Sequence, residues 1–246
     1  MITGSSLQSL GQKFQSTQQN IRREYVQHLF LSNLYQQSNS HQILFKGGTA
    51  LRIVFNSPRF SEDLDFSAQL YNKSLIESII ISTLKEIERF GIKTDIVESK
   101  ETTGGYFANL TFLIENIKVP ILLQFSKRKK TDRHEIVTIS NDFIPPYTIS
   151  LLNRQQLIEE KIQALLTRSK PRDFYDIYFL IRSNLISQSQ KQLLSQVKTI
   201  LSSTKINFSY ELKQFLPKSH WPIIKNFKQN LQSELDKFSF ANHPHH

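Results

Sequence analysis

The chain has no cysteine among its 246 residues. That excludes a disulfide framework, a thiolate zinc site and a cysteine nucleophile, and it fits a reducing compartment. Glycine (7) and proline (8) are scarce, which argues against collagen-like and low-complexity architectures. Long apolar runs are also missing. The densest short run, Ile121-Leu122-Leu123, falls far below the roughly 20 residues of a membrane-spanning helix. The opening stretch MITGSSLQSLGQKF lacks the basic start and apolar core of a secretory signal, so a cytoplasmic protein with no membrane partner is expected. Acidic residues are outnumbered, 21 against 31 Lys and Arg, leaving a net charge of +10. Such a balance favours a polyanionic partner, RNA or DNA. The basic residues are dispersed. Lys127-Arg128-Lys129-Lys130, with Arg133 nearby, is the one dense run, and it reads as either a solvated loop or a nucleic-acid contact.

What is present is a globular composition, 39% hydrophobic and 21% charged, long enough for one large domain or two modest ones. Ile21, Tyr25, His28, Leu29 and Leu34 recur at helical spacing and predict an amphipathic helix over about 15–36. Ile43 to Lys46 reads as a strand, Thr49 to Phe55 as a short helix closed by Asn56-Ser57-Pro58, and Leu64 to Ser67 as a strand. A helix over 73–90 follows, stopped by Gly91. Next come three extended segments, 93–99, 106–115 and 118–126, with Glu115-Asn116 as a tight hairpin turn. Near Ile144-Pro145-Pro146-Tyr147 the strand-like runs stop, and the remainder reads as helices, including one with Phe174, Ile177, Tyr178 and Ile181 on one face.

Residues 45–66, FKGGTALRIVFNSPRFSEDLDF, carry the chemistry. Gly47-Gly48 follows a strand and opens a helix, so the backbone can approach a phosphate at the positive end of the helix dipole, with Thr49 as a further donor. Asp63 and Asp65 alternate along a strand and so share a face. Two adjacent carboxylates repel unless a cation lies between them, and Mg²⁺ suits a site of few carboxylates completed by phosphate oxygens.

Gly47-Gly48-Thr49 followed by Asp63-Leu64-Asp65 resembles the signature of the polymerase-β-like nucleotidyltransferases. The fuller pattern KGGTALR…RFSEDLDFS is similar to the AbiEii/AbiGii toxin family, which includes the MenT toxins. Lys161 and the stretch Lys170-Pro171-Arg172-Asp173-Phe174-Tyr175-Asp176 resemble that family's later lysine and aspartate motif. The resemblance implies an α/β (α+β) fold: a nucleotidyltransferase core with a small mixed sheet over 1–147, then a helical domain over 148–246 completing the cleft. It implies that Gly47, Gly48 and Thr49 hold the triphosphate, that Asp63 and Asp65 bind Mg²⁺ (or Mn²⁺), and that Asp65 lies near the attacking hydroxyl. Lys161 would neutralise the β- and γ-phosphates, and Asp173 and Asp176 would belong to the active site, with ion pairs to Arg172, Lys170 or Arg168 as the alternative. Arg52 and Arg59 either contact phosphate or brace the carboxylates.

The implied activity is that of a toxin in a toxin–antitoxin or phage-defence system. It transfers a nucleoside monophosphate from an NTP to an acceptor hydroxyl, RNA and in particular the tRNA 3′ end, and has a cognate antitoxin. A small-molecule nucleotidyltransferase and a non-catalytic nucleotide-binding protein remain as alternatives. One position departs from the superfamily pattern. The strand expected to bring a third carboxylate beside Asp-x-Asp reads Ile117 to Phe125, with Pro120 or Gln124 where an acid belongs and Glu115 nearest upstream. Either Asp173 or Asp176 supplies it, or the chain binds nucleotide without efficient transfer. His243, His245 and His246 read as a polar tail, and Tyr106 and Phe107 as strand residues.

Overall fold

A computed structural model describes residues 2–68, 71–127 and 134–239. Thr3 and Thr17 cap the first two helices, α1 (Gly4–Lys13) and α2 (Gln18–Leu34), by accepting from the backbone N–H of Ser6 and Asn20. The single helix expected over 15–36 is therefore shorter, and Gln15, at φ 49°, separates it from α1. β1 (Ile43–Lys46) runs into α3 (Gly47–Phe55), β2 (Asp63–Ala68) and α4 (Lys73–Arg89). β3 (Thr94–Thr102), β4 (Gly105–Ile114), β5 (Ile117–Lys127), β6 (His134–Ile139) and β7 (Tyr147–Leu152) follow.

Among the described residues the strands form one mixed seven-stranded sheet in the order β3-β4-β5-β2-β1-β7-β6. β2 pairs with β5 and β1 with β7 in parallel, and the other neighbours are antiparallel. The β4–β5 hairpin turns at Glu115 (φ 50°) and Asn116 (φ 63°), the two left-handed residues that a tight turn matched to strand twist requires. On β4 the even positions from Tyr106 to Ile114 are buried, while Phe107, Asn109, Thr111 and Leu113 are half-buried on the other face. Phe66 and Phe125 stack at 4.8 Å and Phe30 of α2 meets Phe112 edge-on at 6.4 Å, so the core lies between that face and α2. The β3–β4 ladder shifts register between Ile96 and Glu98, a bulge on an outermost strand.

Residues 134–152 correct the expectation that strands end near Pro145. β7 is buried at every residue except Thr148, the mark of a strand covered on both faces, and it lacks the alternation by which half-buried strands are recognised.

The chain divides into two units, one of Met1–Asn56 with Phe60–Asn153 and one of Ser57–Arg59 with Arg154–His246. The division follows β7, whereas residue 147, where the sequence changes texture, begins it. The second unit contains α5 (Arg154–Arg168), α6 (Pro171–Arg182), α7 (Gln188–Lys191), α8 (Leu194–Ser203), α9 (Phe208–Leu212), α10 (Trp221–Lys225) and α11 (Phe227–Ser239). An aromatic cluster holds it together: Phe208 lies 4.9 Å from Phe227 and 5.3 Å from Phe174, and Tyr175 stacks on Phe227 at 5.9 Å. No described helix is long and apolar enough to cross a membrane. Arg128 to Arg133 of the basic run, and His243, His245 and His246, lie outside the described residues.

Candidate active site

Phe45 and Phe66 pair across the β1–β2 ladder with rings 5.7 Å apart and are buried. The next pair is Lys46 with Asp65, and strand alternation turns both to the other face, where Asp63 also points. Asp63 and Asp65 are half-buried while Leu64 and Phe66 are fully buried, so the strand is anchored by its apolar face and carries the carboxylates on the partly exposed one.

α3 begins beside them. Gly47 has φ +84°, and a Cβ added there would stand 2.0 Å from Asp65 Oδ2 and 2.7 Å from Asp65 Cγ. The Asp65 carboxylate therefore rests against bare backbone at the start of a helix whose first N–H groups have no intrahelical acceptor. Both glycines are helical here, two residues ahead of the expected start. Thr49 is buried, and its hydroxyl donates to the Asp63 carbonyl. It ties α3 to β2, which leaves the backbone N–H groups as the donors open to a phosphate.

α2 braces this arrangement through polar side chains that the sequence did not single out. Gln27 Nε2 donates to the carbonyls of Ser61 (3.0 Å) and Glu62 (3.2 Å), fixing the entry to β2. Glu24 accepts from Arg52 Nε at 2.8 Å and Nη2 at 3.1 Å, and the Arg52 guanidinium lies 4.1 Å from the Phe60 ring. The carboxylate that Arg52 meets is thus Glu24 of α2. Burial pushes the Glu24 carboxyl up, and Arg52 opposes this only in part.

In the second unit Asp176 is the hub of a buried cluster. Its Oδ1 accepts from Arg59 Nε at 2.8 Å, and its Oδ2 accepts from Arg59 Nη2 at 3.0 Å and Lys161 Nζ at 2.8 Å. Burial alone would raise the Asp176 carboxyl, but Arg59 and Lys161 together outweigh it and hold it below the ordinary range. Asp173 is buried at the third position of α6, where it accepts from the Lys170 backbone N–H at 3.1 Å and from Arg168 at 2.6 and 2.9 Å. All four oxygens of these two carboxylates are engaged by donors of their own unit. Arg168, on Asp173, is one of the partners that the ion-pair alternative named, whereas Arg59 and Lys161, on Asp176, were not among them.

The position beside the aspartates is resolved by register. β5 pairs with β2 so that Gln124 stands opposite Asp65 and Leu122 opposite Asp63. An amide therefore occupies the place of the expected third carboxylate. Among the described residues no three His, Asp or Glu side chains gather as a metal-binding group. Asp63 and Asp65 suit an Mg²⁺ whose remaining ligands come from substrate phosphates and water. Lys46, directly opposite Asp65, is a further candidate that the sequence reading passed over, although it immediately precedes Gly47-Gly48.

A helix N-terminus opening against paired carboxylates on a mixed sheet defines the class of nucleotidyltransferase-like proteins. The profile of the family described as "Nucleotidyl transferase AbiEii toxin, Type IV TA system" matches residues 29–244, and the chain belongs to that family. Membership implies a cognate antitoxin as partner. The fold is shared with JHP933 of Helicobacter pylori, at 19% identity and a TM-score of 0.58, over 92% of this chain and 97% of that one. It is shared equally with an H. pylori protein provisionally described as a nucleotidyltransferase, at 19% identity and a TM-score of 0.61, over 93% and 100% of the two chains. Comparison with curated proteins finds none that matches.

Proposed function

We propose that the protein transfers a nucleoside monophosphate from an NTP to a hydroxyl of RNA, with the tRNA 3′ end as the favoured acceptor. The observation that carries this reading is the contact of the Asp65 carboxylate with Gly47 at the head of α3. It brings the donors for a triphosphate within reach of the group that would receive a proton.

In the reaction the acceptor oxygen attacks the α-phosphorus, the bond to the bridging oxygen of the β-phosphate breaks, and pyrophosphate leaves. The hydroxyl proton passes to Asp65 and then to solvent. The first N–H groups of α3 hold the departing phosphates, and Lys46 adds positive charge on the same face. Mg²⁺ bound by Asp63 and Asp65 would supply charge neutralisation at the phosphoryl group. Catalysis of this kind is mostly positioning and electrostatics, which suits a site braced by Gln27, Thr49 and the Glu24–Arg52 pair.

The test is incubation with each labelled NTP and total RNA, with and without periodate oxidation of the RNA 3′ ends. Label is expected in RNA, lost on oxidation, and reduced about 100-fold or more in Asp65→Asn. Labelling by Asp65→Asn at the wild-type rate ends this assignment. Gln124 opposite Asp65 favours a second reading, nucleotide binding without turnover. Calorimetric NTP binding with no labelled product from RNA would decide for it.

A further inference from the structure

The face that carries Asp65 continues across three more strands. Register places Gln124 of β5 opposite Asp65, Phe107 of β4 opposite Gln124, and Lys100 of β3 opposite Phe107. At the usual spacing these residues lie about 5, 10 and 14 Å from Asp65 along one row. Gln124 and Lys100 are exposed and Phe107 is half-buried, although its neighbours Tyr106 and Ala108 are in the core. Glu98, Lys100, Phe107 and Gln124 line one open depression of about 420 Å³. On the same face the next residue of β4, Asn109, has a buried Oδ1 with no hydrogen-bond partner.

We infer that this row is the acceptor subsite, binding the single-stranded 3′ end of an RNA so that its terminal ribose lies over Gln124 and a base stacks on Phe107. The inference rests on the proposed nucleotidyl transfer and names the surface that holds its second substrate. Direction across the sheet selects the acceptor over the NTP. β1 and the head of α3 lie on one side of β2, and β5 lies on the other. In-line displacement needs the leaving pyrophosphate and the attacking hydroxyl on opposite sides of the α-phosphorus. With the phosphates at α3, the hydroxyl approaches from β5, over Gln124.

The side chains suit a nucleotide strand. Phe107 offers an aromatic face, the sequence-tolerant contact of single-strand binders, and Gln124 can donate to and accept from ribose hydroxyls. Lys100 Nζ stands 5.6 Å from the Phe107 ring centroid and 2.6 Å from Glu98, which holds it at the rim, where the phosphate behind a stacked base would pass. Replacing the expected acid by Gln124 takes on a purpose here. A third carboxylate, added to Asp63 and Asp65, would repel an incoming phosphodiester further, whereas an amide does not.

The test uses the full-length protein and a short 5′-fluorescent single-stranded RNA, read by anisotropy, together with KM values for RNA and for NTP. Phe107→Ala should raise the Kd and the KM for RNA about ten-fold or more and leave the KM for NTP unchanged. Phe107→Trp should retain wild-type binding, and Lys100→Ala should flatten the dependence of Kd on salt. Gln124→Ala, at an exposed site that folding tolerates, should raise the KM for RNA without altering the melting temperature. If the wild type labels RNA while the Phe107 and Gln124 variants bind and label it equally well, the subsite is overturned and the transfer reading stands. A rise in the KM for NTP instead would make the row a base pocket and overturn the proposal. A wild type that binds NTP but neither binds nor labels RNA overturns both.

Discussion

Gly47 concentrates two demands in one residue. Its φ of +84° lies where an L side chain costs about 1–2 kcal/mol, and any Cβ would overlap the Asp65 carboxylate. Gly47→Ala is therefore expected to lower the unfolding free energy by about that amount in urea titration. It should reduce nucleotide transfer far more, because the added atom stands 2.7 Å from Asp65 Cβ as well as against its carboxylate, so Asp65 and the head of α3 must move apart. Equal losses in Gly47→Ala and in a surface control would count against the contact. The residue types of this site were legible in the sequence because the chemistry is local: a glycine pair and two alternating aspartates within some twenty positions. Gln27 and Glu24 were not, and neither was the Asp63 carbonyl as the Thr49 hydroxyl's acceptor, since each contact is made only by folding, as with Ser61 for Gln27. Phe107 was readable as a strand residue, but its facing Asp65 across two ladders was not.

At the scale of elements, α6 shows how two aspartates three positions apart can do different work. Asp173 caps the helix with Pro171 ahead of it and pairs with Arg168, whose side chain is half exposed. Asp176 sits between Arg59 and Lys161 with almost no exposure of itself or of Arg59. Asp173→Ala should cost about 1 kcal/mol, the usual loss of a capping side chain, and leave RNA labelling near wild type. Asp176→Ala should cost about 3–5 kcal/mol because two buried cations lose their counterion. Denaturation midpoints distinguish the two, and a loss of activity in Asp173→Ala without loss of stability would return it to the catalytic set. Helices α4 and α6 and the β4–β5 hairpin could be read from periodicity and turn residues. β6 and β7 could not: the former is a short outermost strand, and the latter a continuous buried run that helix and strand share.

Across the first unit, acid should act chiefly through His28. Its Nδ1 is 2.8 Å from the Tyr147 hydroxyl, its ring stacks on Phe143 at 5.4 Å, and burial, aided by the Arg52 cation, lowers its pKa to about 3. The unfolded chain takes up that proton near 6.5, so the stabilisation is complete above about pH 6.5 and is lost as pH falls toward 3. In the second unit Asp176 acts in the same direction: its depressed carboxyl stabilises the fold above the ordinary aspartate range, and that contribution goes as pH drops through its folded value. Glu24, raised by burial, works the other way, favouring the fold at low pH and losing that contribution as pH rises through its folded value. Melting temperatures between pH 7 and 4 should decline, and His28→Gln should flatten the decline. A profile identical to wild type would remove His28 as the cause.

The bulge in β3 bears on how many copies of the chain can coexist. Among the described residues β3 ends the sheet, so its outer backbone groups pair with no described strand and could meet one that another molecule presents. Its most adhesive stretch is Ile96-Val97, both exposed, and the register shift falls there. A foreign strand laid along β3 would lose its ladder at the one place where apolar side chains could reward it. Beyond that point it would meet Glu98, Lys100 and Glu101. The sheet thus carries its own guard against edge-to-edge aggregation.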